Sequence, residues 1–367
     1  MTCSYPKVEI NLEHLKENTE LIVSMCEKFG VSVTGVIKGV TAIPECVETI
    51  SKSGVKRIAS SRIKQLEKLK DYGLPTELIR IPMLSEVSEV VKYADYSVNS
   101  ELAVIEALNE EAGKLGKVHK IILMADLGDL REGYWDKDEL VSVAALIEND
   151  MENIEFAGVG TNLGCYGSVM ATEEKLQELC DAALAIEEKI GRELEIVSGG
   201  ATSSFIRIMD GKIPDKINDL RIGEALFLPI SLKNYYGFEL AGAHPWVMTL
   251  QAEIVEIKEK PSYPVGELGV DAFGHKPVYE DKGDRIKALA AVGKVDYGSI
   301  EEIVSLEEGV EILGASSDHT ILDITDAKRK LKIGDIVEFR LNYGAMVFAT
   351  NTDEVAITFA EWKWRSD

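Results

Sequence analysis

Short apolar, β-rich runs alternate with amphipathic stretches through most of this chain, and that alternation restricts the possible folds more than any other feature. The candidate strands are VSVTGVI (31–37), RIASS (57–61), LIRIP (78–82), YSVN (96–99), KIILMADL (120–127), EFAGVGTNL (155–163), EIVSGG (195–200) and LRIGEALF (220–227). Between them, residues 42–53, 62–72, 101–115, 138–149 and 173–190 carry helical spacing. The strands are nearly continuous in apolar residues, as expected where both faces of a parallel sheet are covered. Eight such βα units predict an α/β fold, a (β/α)8 TIM-type barrel. A doubly wound sheet is the other architecture with this rhythm, but no G-x-G-x-x-G follows the first strand.

After about residue 235 the rhythm changes. WVMTLQAEIVEI, RIKALAAVGKV, VEILGAS, HTILDIT, DIVEFRL and MVFAT follow closely, with no long helical pattern between them. They predict a C-terminal antiparallel β-domain. Gly237, Gly242 and Pro245 mark the change. The opening strand-like run KVEINLEHL precedes the first helix and can join the β-domain. The expected organisation is therefore an N-terminal strand in 1–10, a barrel over 11–235 and a β-domain over 236–367. A length of 367 residues suits two domains.

Composition removes several function classes. A net charge of -23 argues against nucleic acid as a partner, because phosphate binding wants a basic surface. No run approaches the roughly 18 apolar residues of a membrane span. MTCSYPKVEINLEHL has neither a basic n-region nor an apolar h-region, so no signal peptide is expected. Five cysteines, Cys3, Cys26, Cys46, Cys165 and Cys180, are odd in number and form no C-x-x-C pair. That pattern predicts a reducing, cytoplasmic setting and no cysteine zinc site. Cys165 follows a predicted strand end and could line a site. The histidines lack metal-ligand spacing, and no metal is expected, with His319 of Ser-Ser-Asp-His the one position to watch.

In a barrel the chemistry sits at the C-terminal ends of the strands, and four groups of residues fall there. Lys38 directly follows VSVTGVI. Burial at an apolar strand end lowers a lysine pKa, which suits Schiff-base chemistry, although a lysine snorkelling from a strand terminus would look the same. The run Ser198-Gly199-Gly200-Ala201-Thr202-Ser203-Ser204 follows the seventh strand, where barrels commonly bind phosphate. An ordinary Ser/Gly turn is the plainer alternative. Arg221-Ile222-Gly223-Glu224 lies at the eighth strand, where a buried guanidinium needs an acceptor: a ligand's ring nitrogen, or a carboxylate such as Glu224 or Asp219. Asp126-Leu127-Gly128-Asp129-Leu130-Arg131-Glu132-Gly133 follows the fifth strand; Arg131 can clamp a substrate carboxylate or stand solvated.

Taken together, these motifs resemble the alanine racemase family, the pyridoxal-phosphate enzymes with a barrel and a β-domain. Val36-Ile37-Lys38 is similar to the family's VxK motif, and DLGDLREG to its loop DTGMxRxG, which places Arg131 and Gly133. SGGATSS resembles its phosphate-binding turn through Ser203 and Ser204, Arg221 and Gly223 its RxG motif, and LNYGAMVFA carries Tyr343 where the family has a tyrosine reaching the phosphate. Residues 270–283, 312–325, 159–167 and 121–135 resemble the alanine/ornithine racemase group within it. The resemblance implies pyridoxal 5'-phosphate as cofactor, a small amino acid as substrate, and a homodimer with shared active sites. It implies racemisation, with ornithine ahead of lysine and alanine.

Several positions depart from the family. Ala42 stands where a tyrosine follows the cofactor lysine, Asn162 where a histidine approaches the ring, and Met124 near the lysine that is carbamylated. The catalytic tyrosine of "GYxDG" is replaced in Gly293-Lys294-Val295-Asp296-Tyr297-Gly298. Lys38 is thus the expected base on one face of Cα and Lys294 of a second subunit that on the other, with Tyr297 and the turn Ser317-Asp318-His319 as rivals. Ser317 and Asp318 are expected at the substrate; related decarboxylases carry Cys-Asp there, and decarboxylation or D-amino-acid cleavage remains the alternative chemistry. A non-catalytic carrier of the same cofactor would lack the β-domain.

Overall fold

The computed structural model describes residues 5–69, 72–270, 274, 276 and 278–360. The chain divides into two compact units, Leu12–Pro245 and Trp246–Asp367 together with Met1–Asn11. Within the 270–283 segment, residues 271–273, 277 and His275 lie outside the described residues, as does Cys3.

β1 (Lys7–Ile10) opens the chain. The barrel strands follow: β2 (Ser32–Val36), β3 (Arg57–Ser60), β4 (Thr76–Leu78), β5 (Tyr96–Asn99), β6 (His119–Met124), β7 (Ile154–Gly160), β8 (Ile196–Ser198) and β9 (Asp219–Ile222). Each pairs with the next in parallel, and β9 pairs back onto β2 from Ser32 with Asp219 to Gly35 with Ile222, closing eight strands. The apolar runs are buried as continuous segments, for example Ile121 to Met124 at 0% exposure. Tyr96, Val98, Ile122, Met124, Ala157 and Ile196 pack together in one cluster.

The helices cover this barrel for legible reasons. In Glu173–Ile190, Leu176, Leu179, Cys180, Ala183 and Ile186 form one buried stripe at helical spacing. Thr172 caps its start by accepting from the Lys175 N–H, and Gly191 ends it in the left-handed region. Asp136 likewise caps Lys137–Asp150. Among the described residues no helix is long and apolar enough to cross a membrane.

Several barrel strands end earlier than the sequence expectation, β4 and β9 by the most. β4 begins earlier than LIRIP, because Thr76 pairs with Ile58 while Pro82 offers no N–H to extend the ladder. In LRIGEALF the strand stops at Ile222, and Glu224–Phe227 coils into a short helix.

The second unit is a sheet. Its strands are β1 with β10 (Met248–Pro261), β11 (Asp284–Ala290), β12 (Ile303–Ser305), β13 (Glu311–Ala315), β14 (Thr320–Asp323), β15 (Ile336–Leu341) and β16 (Ala356–Phe359). The order is β12-β15-β10-β11-β14-β13, all antiparallel, while β1 pairs antiparallel with β10 and parallel with β16. MVFAT, expected as a strand, lies in the helix Tyr343–Ala349, where Ala345, Met346 and Ala349 are buried. RIKALAAVGKV ends as a strand at Ala290, and Lys294–Tyr297 forms a helical turn. The helix Ile230–Tyr236 and the turn after it stay with the barrel: Ile230 N–H donates to Pro245 O and His244 N–H to Asn18 Oδ1.

Candidate active site

Lys38 begins a single tight turn directly after β2, with Thr41 and Ala42 in the left-handed region. Its side chain remains accessible, but protein atoms surround it closely enough that burial lowers its pKa from 10.5. Cys165 opposes that shift, Arg131 adds to it, Glu132 opposes it and Arg221 adds to it. These four residues from three other loops and strands therefore act on the Lys38 ammonium. Cys165 is exposed there.

Arg221, on β9, is 3% exposed. Its Nη1 donates to Ser198 Oγ, and its Nη2 donates to Thr161 O at 2.6 Å and to Asn162 Oδ1 at 3.0 Å. Glu224 is not among these acceptors. Asn162 passes the contact on, donating through Nδ2 to Glu132 Oε1 at 2.5 Å. Glu132 in turn holds Arg131: Nη2 donates to Oε1 at 2.6 Å, and Nε pairs with Oε2. This uses the Nε edge of the Arg131 fork and leaves N–H donors on its terminal nitrogens.

The loop carrying Arg131 is built by its own acids. Asp126 Oδ1 accepts from the Gly128 and Leu130 N–H groups. Asp129, 2% exposed, accepts from the N–H groups of Gly164, Cys165, Tyr166 and Val169. Burial raises its pKa, but the N–H donors of Tyr166, Val169, Gly164 and Gly167 outweigh that and hold it below 3.8. Asp129 and Glu132 are thus both committed to partners within these loops. Gly133 closes the loop at φ +125, where a Cβ would stand 2.5 Å from Asp126 N.

At the end of β8, Gly200 adopts φ +112 and the helix Thr202–Met209 begins. Ser203 Oγ donates to Leu163 O at 2.6 Å. Ser204 Oγ is buried and has no hydrogen-bond partner among the described residues. A Cβ on Gly200 would lie 2.7 Å from that Oγ. Gly223 follows β9, with Val36 3.0 Å from where a Cβ would be.

The other expected residues lie in the β-rich unit. Lys294, half-buried, starts the helical turn Lys294–Tyr297 and donates its N–H to Ser316 O at 3.0 Å. The turn 316–319 is thereby strapped to it. Ser317 Oγ donates to Asp318 Oδ2 at 2.6 Å, and Asp318 and His319 are exposed. Tyr297 is fully buried; its hydroxyl bonds Thr320 Oγ1 at 2.8 Å, and burial pushes its pKa up to about 12. Tyr343, half-buried, heads the helix Tyr343–Ala349. Among the described residues no three His, Cys, Asp or Glu side chains gather to hold a metal ion.

Sequence reasoning missed Ser198, Asp219, Arg57 and Glu77 as a connected group beneath this site. The only local signal was polar residues inside otherwise apolar strands.

Comparison with known proteins bears on this arrangement. The sequence profile of the family described as alanine racemase, N-terminal domain, matches residues 10–230. An ornithine racemase from Acetoanaerobium sticklandii is 45% identical over 344 residues, 94% of this chain and 96% of its own length. A lysine racemase from Thermotoga maritima is 37% identical over 347 residues, again 94% and 96% of the two chains. The crystal structure of alanine racemase from a D-cycloserine-producing Streptomyces lavendulae shares the fold, with a TM-score of 0.76 at 17% identity over 99% of both chains.

Proposed function

We propose, for a chain that belongs to the alanine racemase family and is a pyridoxal-phosphate-dependent amino-acid racemase, that ornithine is its substrate and that Lys38 and Lys294 are its two bases. The observation that carries the substrate is the 45% identity to an ornithine racemase along 94% of the chain.

The residues fit the cofactor. Ser204 Oγ is a buried polar atom without a partner among the described residues, at a helix start where phosphate oxygens are well received, and Gly200 keeps the space beside it clear. Ser203 through its backbone N–H, Ser204 through its hydroxyl, and Tyr343 would hold the phosphate, Asn162 and Gly223 would flank the ring, and Arg221 would donate to its nitrogen. Lys38 would hold the group covalently. When bound, pyridoxal phosphate supplies an electron sink for the pair left at Cα after proton removal.

The chain's own residues do the rest. Lys38, its pKa lowered, reaches the neutral form more readily than an ordinary lysine and so can take the Cα proton on one face. Lys294 of a second copy gives a proton on the other face. The Arg221 guanidinium carries N–H donors and no acceptor, so it would donate a hydrogen bond and leave the ring nitrogen unprotonated. Arg131 offers its terminal nitrogens to the substrate carboxylate, and Ser317 and Asp318 are assigned to substrate binding as well. This reading requires a homodimer. The free cysteines Cys26, Cys46, Cys165 and Cys180 suit a cytoplasmic location.

The test is a racemisation assay of the cofactor-loaded protein with L-ornithine, L-lysine and L-alanine in parallel, both enantiomers being separated by chiral chromatography. Ornithine should reach a near-equal mixture first. Faster turnover of lysine or alanine overturns the substrate; release of carbon dioxide, ammonia or an aldehyde without racemisation overturns the reaction.

A further inference from the structure

Beneath Arg221 lies a buried polar chain that the reaction as described does not use. Ser198 Oγ donates to Asp219 Oδ2 at 2.5 Å and accepts from Arg221 Nη1. Asp219 Oδ1 accepts from Thr34 Oγ1 at 2.9 Å and from Arg57 Nη2 at 2.6 Å, and Arg57 Nε donates to Glu77 Oε2 at 3.1 Å. Thr34, Glu77, Ser198 and Asp219 are all at 0% exposure. Charged groups so placed are costly unless each is paired and hydrogen-bonded, which fixes their arrangement.

We propose that Ser198 and Asp219 are positioning residues that hold the Arg221 guanidinium in register with the cofactor ring. The inference rests on the reading above that Arg221 meets the ring nitrogen. A serine hydroxyl has one proton. With that proton committed to Asp219, only a lone pair faces Arg221, so Ser198 can accept from the guanidinium and never compete with it as a donor. The three bonds to Ser198, Thr161 and Asn162 occupy three of the five guanidinium N–H groups and leave two for a ligand. Space for the pair is provided by Gly160, where a Cβ would stand 3.1 Å from Arg221 Nη1 and 3.3 Å from Ser198 Cβ. Asp219 is itself aimed from both sides of β9, through Thr34 on β2 and Arg57 on β3 on one side and Ser198 on β8 on the other. The barrel wall thus sets where the guanidinium points.

The experiment compares holoenzymes of the native chain, Ser198→Ala and Arg221→Ala by the visible absorption spectrum of the bound cofactor across pH, together with kcat and KM. Loss of one hydrogen bond to a charged group predicts a kcat lower by roughly ten- to a hundredfold in Ser198→Ala. KM should stay within about threefold, and the spectral pH profile should shift in the same direction as in Arg221→Ala. A native spectrum and pH profile in Ser198→Ala, with only a lower melting temperature, means a structural role and overturns the inference, while a shift in Arg221→Ala alone leaves the Arg221 reading standing. No shift in either variant overturns the Arg221 reading as well. Should the alanine variant not fold, Ser198→Cys keeps the shape, weakens both bonds, and is judged by the same spectra.

Discussion

Asn162 Nδ2 donates to Glu132 Oε1 over 2.5 Å, and this bond joins two loops of the barrel mouth. Through it Arg131, held by Glu132, is connected to Arg221, held by Asn162 Oδ1. The two arginines proposed for substrate and cofactor are therefore oriented by one shared pair of side chains.

That relationship predicts the behaviour of Glu132→Gln. Glutamine keeps the length but loses the charge, and its amide faces either Arg131 or Asn162 with a donor against a donor. The Arg131 side chain is 41% exposed, so solvent dilutes the effect. KM for the amino acid should rise roughly three- to tenfold, with a smaller change in kcat. Steady-state kinetics check this, and an unchanged KM would show that Glu132 does not orient Arg131.

Asp129 makes the chain's acid stability measurable at one site. Its folded pKa lies below 3.8 because backbone N–H groups outweigh burial. A carboxyl with a depressed folded pKa adds stability that is fully present above its unfolded pKa and lost as pH falls through the folded one. Asp129→Asn should lower stability at neutral pH by about 1–3 kcal/mol. Denaturant melts from near-neutral to acid pH should then show a shallower acid decline than the native chain. Parallel curves would assign the acid loss elsewhere.

The second base can be distinguished by burial. Tyr297 is fully buried, its pKa is pushed up to about 12, and its hydroxyl is engaged with Thr320, so it has neither access nor the charge state of a base near neutrality. Tyr297→Phe should cost about 1 kcal/mol of stability and leave racemisation within about threefold. Lys294→Met should lower kcat by about a hundredfold or more, as for loss of a general acid–base group. Isotope exchange from solvent into one enantiomer only would confirm loss of one face. The reverse pattern would make Tyr297 the base.

Gly133 tests the loop geometry. Alanine there meets Asp126 N at 2.5 Å and must adopt φ +125. Gly133→Ala should cost about 1–3 kcal/mol, read as a lower melting temperature, and should raise KM, since Arg131 and Glu132 immediately precede it. Native stability would mean that the loop has an alternative path.

Elements whose signal is local can be read from the chain before it folds. Eight apolar strands, the helices between them, Lys38 at a strand end and the Ser/Gly run after the seventh strand are all read from periodicity and neighbours. Where local signals conflict, the pattern misled. MVFAT is β-rich in composition yet coils into the helix Tyr343–Ala349, because burial of Ala345, Met346 and Ala349 on one side outweighs propensity. The partners of charged groups were set by packing between elements distant in the chain. Arg57 and Asp219 are 162 residues apart in the chain and 2.6 Å apart in the barrel, and Asp129 reaches backbone N–H groups about 35 to 40 positions away. A charge can satisfy itself with any partner that closure of the barrel brings near. No periodicity records which one, so the Ser198–Asp219 support for Arg221 exists only once β8, β9 and β2 have met.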